Sequence, residues 1–215
     1  MASTVRAEDV FIHAHSINMK SALETRKRIR LQRAKLSSDD QEKAANLIYD
    51  KIIELGLLNR HQKFACYLPS QGEINTHRLI EKLWLHRKQC FLPVLHWSKQ
   101  NKLEFLPFTP ETTLAANRYG ILEPRYQSPL IQTIWALDII FMPLVAFDSS
   151  CNRVGMGGGY YDRTLHFLLK RKIWHKPKLI GLAYEFQKIN PITTQPWDVS
   201  LDIVITDQHI YQRKN

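Results

Sequence analysis

Half of the glycines in this 215-residue sequence, four of eight, fall within five consecutive positions. They stand at Gly155, Gly157, Gly158 and Gly159 in the run Arg153-Val154-Gly155-Met156-Gly157-Gly158-Gly159-Tyr160-Tyr161-Asp162-Arg163. A Cβ at such positions would disfavour backbone with positive φ and hold an approaching anion away. An apolar run ending at Phe147-Asp148 precedes the segment and a helical pattern follows it, so the turn is expected where a strand ends and a helix begins. In an open α/β sheet ligands bind at that end of the strands, and main-chain N–H groups at a helix start suit phosphate. The run is no Walker A loop, since it has no Gly-Lys-Ser/Thr. It is no dinucleotide fingerprint either, because Tyr160 stands where the third spaced glycine belongs. Phosphate binding is the chemistry it predicts.

Asp162 would sit in the first turn of the following helix, where a carboxylate suits the helix dipole but repels a bound phosphate. A divalent cation between the two reverses that repulsion. Mg²⁺ takes one or two carboxylates beside phosphate oxygens, so Asp162 and one further acid would suffice. Arg153 brings a permanent positive charge to the start of the turn, suited to charge on a transferring phosphoryl group. There is no G-x-S-x-G, no H-E-x-x-H and no His–Cys pair at metal-ligand spacing, which argues against hydrolytic triads and zinc proteases. A phosphosugar or CoA-ester enzyme on a similar scaffold would also use such a turn.

The elements that must hold this turn are legible from periodicity. From Met19 to Leu36 the residues favour helix, and Arg26, Arg30 and Arg33 fall at i, i+4 and i+7 on one face. Lys20, Lys27, Arg28 and Lys35 add to that charge, opposed in the stretch only by Glu24. No aromatic residue is interleaved from Arg26 to Lys35, which disfavours an RNA-binding reading. Ser38 and Gln41 form an S-x-x-Q capping box ahead of an apolar stripe of Ala44, Leu47, Ile48, Ile52 and Leu55 that stops at Gly56. Six strands are expected, at Lys63–Leu68, Gln89–Leu95, Leu103–Phe108, Ile139–Phe147, Lys178–Tyr184 and Leu201–Thr206. A helix is expected from Thr76 to Arg87, and another after Gly159 with Leu165, Leu168 and Leu169 turned inward. Strands that are nearly all apolar and alternate with helices imply an α/β sheet covered on both faces.

Composition narrows the class. With 44% hydrophobic and 23% charged residues the chain is that of a globular protein rather than a disordered or fibrous one. The longest apolar run, from Ile139 to Phe147, falls far short of the ~20 residues of a membrane span. Met1 to Asn18 carry no apolar signal core, and Glu8 and Asp9 argue against a transit peptide, so the cytosol is the expected compartment. Cys66, Cys90 and Cys151 are widely spaced and read as buried reduced thiols. A net charge of +10 favours polyanionic partners without choosing among them.

Several segments together resemble the 5-formyltetrahydrofolate cyclo-ligase family, also called 5,10-methenyltetrahydrofolate synthetase. They are Pro143-Leu-Val-Ala-Phe-Asp148 with the glycine run that follows, Tyr119-Gly-Ile-Leu-Glu-Pro124, the Leu103-Glu-Phe segment, Tyr67-Leu-Pro-Ser-Gln-Gly-Glu-Ile74 and Asp198-Val-Ser-Leu-Asp202-Ile-Val-Ile-Thr206. The resemblance spans roughly Lys20 to Asp207. It implies a single three-layer α/β domain over 19–210 with a mostly parallel central sheet, related to ribose-phosphate isomerase and CoA-transferase folds, after N-terminal helices and a poorly ordered extension over 1–18. It implies conversion of 5-formyltetrahydrofolate to 5,10-methenyltetrahydrofolate with ATP as co-substrate and Mg²⁺ as cofactor. A monomer with no membrane partner is the expected state.

Site residues follow by the same resemblance. Lys20, Arg26 and the run Arg153, Val154, Gly155, Met156, Gly157, Gly158, Gly159, Tyr160 and Tyr161 would hold ATP, with Arg153 and Tyr160 catalytic. Leu68, Glu73 and Tyr119 would join Met156 to Tyr160 against the folate, whose tail carries one or more glutamates. Asp162 and Asp198 would be the acids at Mg²⁺, with Asp202 the competing carboxylate. Two departures stand out. The family's N-terminal lysine position falls on Ala22, leaving Lys20 as a displaced substitute, and Trp197-Asp198 stands where the family often has His-Asp.

Overall fold

The structure, a computed structural model, describes residues 22–96, 101–125, 131–170 and 176–214. Helices α1 (22–33), α2 (Ser38–Glu54) and α3 (Leu57–Arg60) lead into strand β1 (Lys63–Ala65), helix α4 (His77–Leu85) and strands β2 (Gln89–Leu95) and β3 (Leu103–Pro107). Strands β4 (Leu114–Ala116) and β5 (Leu122–Pro124) form a hairpin. Then come β6 (Ile139–Met142), the short pair β7 (Ala146–Phe147) and β8 (Arg153–Val154), helix α5 (Tyr160–Leu165), and strands β9 (Lys178–Ala183), β10 (Ile203–Thr206) and β11 (Ile210–Gln212). Lys20, the expected helix start at Met19 and the extension over 1–18 lie outside the described residues.

The main sheet has seven strands in the order β11-β10-β9-β6-β1-β2-β3. Its middle five run parallel, and β11 and β3 pair antiparallel at the edges. All four residues of β6 are buried, which is why that strand reads as uninterrupted apolar sequence. Ile139 and Phe141 join one core with Ile48 and Ile52 of α2 and Leu79 and Leu83 of α4. Ile140 and Met142 point the other way, into a core with Leu165 and Leu168. The expected three-layer α/β arrangement with a mostly parallel sheet is the arrangement observed. Cys66 and Cys90 belong to the first core and Cys151 to the second, all three as free, buried thiols. Among the described residues no helix is long and apolar enough to cross a membrane.

Local differences have local causes. The helix cap is Ser37 rather than Ser38: its hydroxyl accepts from the Asp40 amide at 3.1 Å and donates to the Asp40 carboxylate at 2.7 Å. Leu47 is 48% exposed and Leu169 41% exposed, so neither lies on the buried stripe assigned to it. The helix expected from Thr76 to Arg87 is shorter, α4 ending at Leu85, and the segment after Gly159 is α-helical only to Leu165 before tightening into a 3₁₀ turn over His166–Lys170. The run from Ile139 to Phe147 is two strands, because Pro143 has no N–H for the ladder and the chain leaves the main sheet there. Asp148 closes the β7–β8 hairpin, accepting from the amides of Ser150 at 2.9 Å and Asn152 at 3.0 Å. The glycine run therefore leaves the small hairpin, not a strand of the main sheet. Strands β4, β5, β8 and β11, each of two or three residues, were too short to show a period.

Candidate active site

A cleft of about 1580 Å³ opens where the chain leaves β1, β2 and β6. The glycine run forms one wall. Gly157 at φ +102° and Gly159 at φ +63° occupy backbone that a side chain rarely adopts. A Cβ on Gly158 would stand 2.8 Å from the Tyr160 ring. The amides of Met156, Gly157, Gly158 and Gly159 have no hydrogen-bond partner among the described residues. The carbonyls of the turn are held from outside: Arg26 Nε donates to Gly155 O at 2.9 Å, and the Arg163 guanidinium donates to Gly158 O. Arg30 Nη2 reaches Met156 Sδ at 3.8 Å. Arg26 and Arg30 of α1 thus lie against the turn. Arg33, one turn further on, is fully buried rather than a surface charge.

At the end of the turn Arg153 pairs with Asp162, Nη2 to Oδ1, at 2.6 Å, with the arginine side chain only 5% exposed. The same Oδ1 accepts the Val199 amide at 3.2 Å, which brings Asp198 beside the pair. Asp198 accepts the Gln195 amide through Oδ2 at 2.8 Å. Burial, with the neighbouring Asp162 charge added, pushes its carboxyl above the usual range. Asp162 Oδ2 and Asp198 Oδ1 keep no partner among the described residues. No cluster of three or more metal-ligating side chains forms among those residues, so the described residues bring two carboxylates, Asp162 and Asp198, to this place. That donor set fits Mg²⁺, which fills its other positions with water and phosphate oxygens. Asp202 lies elsewhere, accepting the Leu179 amide at 2.8 Å and pairing with Arg213 at 3.2 Å, which ties β10 to β9 and to the C-terminal segment.

Leu68 and Glu73 line the same cleft. Glu73 is 7% exposed, and its Oε2 accepts the Ser70 amide at 3.1 Å. Burial raises its carboxyl to about 7 despite the Arg33 charge. Tyr119 stands at the tip of the β4–β5 hairpin, 59% exposed, with its hydroxyl 2.9 Å from that of Tyr160 and the rings edge to face. Arg118 donates to the same Tyr160 hydroxyl, which in turn donates to Asn101 Oδ1 at 3.2 Å.

Residues 18–207 match the 5-formyltetrahydrofolate cyclo-ligase family. The chain is 38% identical over 192 residues to the 5-formyltetrahydrofolate cyclo-ligase of Haemophilus influenzae, covering 88% of this chain and 100% of the relative. This protein belongs to the 5-formyltetrahydrofolate cyclo-ligase family. The Escherichia coli cyclo-ligase is 32% identical over 186 residues, covering 86% of this chain and 99% of the relative. The solved 5,10-methenyltetrahydrofolate synthetase of Aquifex aeolicus superposes with a TM-score of 0.73 at 28% identity, covering 90% of this chain and 93% of that one.

Within this cyclo-ligase chain the cleft gathers Arg26, Leu68, Glu73, Tyr119, Asp198 and every residue from Arg153 to Asp162. Ala22, where the family's lysine position falls, lines the same cleft, as does Trp197. Arg118, Asn101 and Arg163 were missed. Each is a polar residue in an irregular segment or on a short helix, and only the approach of the β4–β5 hairpin to α5 reveals what it touches.

Proposed function

We propose that this protein cyclises 5-formyltetrahydrofolate to 5,10-methenyltetrahydrofolate, with ATP as phosphoryl donor and ADP and phosphate as products. One observation carries the reading beyond family membership: a turn of amides without partners among the described residues and a buried carboxylate line a single cleft of about 1580 Å³, larger than the ~300–1,000 Å³ common for one small ligand.

The amides from Met156 to Gly159, with Arg26 against the turn, receive the phosphate chain. Glu73 accepts hydrogen bonds from the pterin, Leu68 and Tyr119 give its ring apolar surface, and Met156 lies between the two substrates. The formyl oxygen attacks the γ-phosphorus and ADP leaves. N10 then bonds to the activated carbon, the phosphate departs with the former formyl oxygen and its bonding pair, and loss of the N10 proton completes the cationic ring. The substrate brings its own nucleophile, so the protein's contribution is placement and charge, and no triad is required. Arg153, held by Asp162, faces charge on the moving phosphoryl group, with the Tyr160 hydroxyl beside it. Asp162 and Asp198 would hold Mg²⁺, which neutralises charge on the phosphate oxygens. Purified protein given Mg²⁺-ATP and 5-formyltetrahydrofolate should form the methenyl product, seen by its near-ultraviolet absorbance. A preparation that binds both compounds yet forms none would overturn the assignment.

A further inference from the structure

Residues 151–153 and 199–201 are joined rung by rung, one segment rising in number as the other falls. The Leu201 amide donates to the Cys151 carbonyl at 2.9 Å. One step on, the Ser200 hydroxyl donates to Asn152 Oδ1 at 2.8 Å. At the third step a carboxylate bridges the two segments: Arg153 Nη2 at 2.6 Å and the Val199 amide at 3.2 Å both donate to Asp162 Oδ1. The middle rung has a fixed sense. Buried Asp148 takes the Asn152 side-chain nitrogen on Oδ2 at 3.0 Å, the same oxygen that accepts the Ile192 amide at 2.9 Å. A carboxylate offers acceptors, so the Asn152 amide turns its nitrogen to Asp148 and its oxygen to Ser200, whose hydroxyl must then donate. The main-chain bond at Leu201 holds one point whatever side chains stand at 152 and 200. The Asn152–Ser200 bond adds a second point, directly beside the two residues that grip Asp162.

We propose that Asn152 and Ser200 are positioning residues for the divalent cation: their hydrogen bond sets the spacing of Arg153 and Val199, and thereby brings the Asp162 and Asp198 carboxylates to one ion. The proposal rests on the reading above that those two acids hold Mg²⁺. Asp162 has Oδ1 committed to Arg153 and Val199, so the direction left to Oδ2 depends on where those two donors stand. Asp198 closes its own turn, its amide donating to the Gln195 carbonyl at 3.0 Å and its Oδ2 accepting the Gln195 amide at 2.8 Å. That turn leads straight into Val199 and Ser200, so its attachment to the glycine-run side of the cleft passes through the rungs just described. Neither Asn152 nor Ser200 lines the cleft, and both act through residues that do or that border them. An outer shell of this kind fixes ligand orientation before the ion arrives, which is where its contribution to affinity lies.

The readout is the factor by which Mn²⁺ tightens ADP binding, from calorimetric titrations of the full chain with and without the ion. Ser200→Ala removes the donor without adding bulk. It should lower that factor roughly tenfold and leave metal-free ADP affinity unchanged. In turnover assays its Mg²⁺ requirement should rise by a similar factor, with kcat restored by excess Mg²⁺. Ser200→Thr keeps the hydroxyl and should match the parent. Asn152→Ala removes the acceptor, and adding Ser200→Ala to it should cost nothing further, because the two act as one unit. The proposal is overturned by an unmoved factor in Ser200→Ala, by equal losses in Ser200→Ala and Ser200→Thr, or by additive losses in the double variant. A loss of metal-free ADP affinity equal to the loss with Mn²⁺ also overturns it, as the mark of a merely loosened fold. Should Ser200→Ala fail to fold, Ser200→Cys, whose S–H is a weak donor, carries the same test: a lowered factor supports the proposal and an unmoved one overturns it. A parent whose ADP affinity ignores Mn²⁺, or an Asp198→Ala variant that keeps the parent's factor, sinks the placing of the metal itself, a failure separate from that of Asn152 and Ser200.

Discussion

At the scale of the residue, the Arg153–Asp162 pair joins a buried cation to the carboxylate proposed for the metal, so the two functions cannot be separated by substitution. Asp162→Asn should abolish Mg²⁺-dependent turnover and also lower stability by about 1–3 kcal/mol, because a buried guanidinium loses its charged partner. Urea unfolding alongside the assay checks both. Gly159→Ala places a side chain at φ +63° and should cost about 1–2 kcal/mol as well as ATP affinity, read by denaturation and by nucleotide titration. The glycine run was legible in the sequence because its composition is improbable for any other purpose. Burial of Arg33 was not, since helical spacing shows which residues share a face and not what covers that face. Asp198 and Asp202 could not be told apart from spacing alone, because only tertiary hydrogen bonds commit Asp202 to β9.

At the scale of the element, β9 shows how closely the site's scaffold is packed. A Cβ on Gly181 would meet Leu144 and Leu201 at 2.6 Å on both sides. Gly181→Ala should therefore lower stability by about 1–3 kcal/mol and disturb the Leu144 segment that Arg33 and Gln187 hold, measurable as a shift in melting temperature. The long elements could be read because burial on both faces leaves an unbroken apolar record, as in β6, and because α2 has both a cap and a stripe. The β4–β5 hairpin left no such record. Its strands have three residues each, only partly buried, and its place in the site depends on a tyrosine contact across the cleft.

At the scale of the whole molecule, Asp138 links the sheet to the segment before β9. Burial disfavours its charge, but hydrogen bonds from Lys176 and from the amides of Gln62 and Lys63 outweigh that and hold the carboxyl at about 2. A carboxyl depressed on folding contributes stability above its unfolded value of about 4 and loses it as pH falls toward the folded one. Acid unfolding of Asp138→Asn should accordingly show a flatter dependence than the parent between about pH 4 and pH 2. The α/β layering followed from the order of apolar runs, whereas the antiparallel edges did not, because β11 borrows its pairing from β10. The distribution of sulfur has a practical consequence. Cys66 and Cys90 sit on one side of the sheet and Cys151 on the other, and burial makes the thiols of Cys66 and Cys151 reluctant to ionise. Alkylation rates under native conditions would thus clock the opening of the two layers separately, reporting whether the molecule unzips from one flank or comes apart at once.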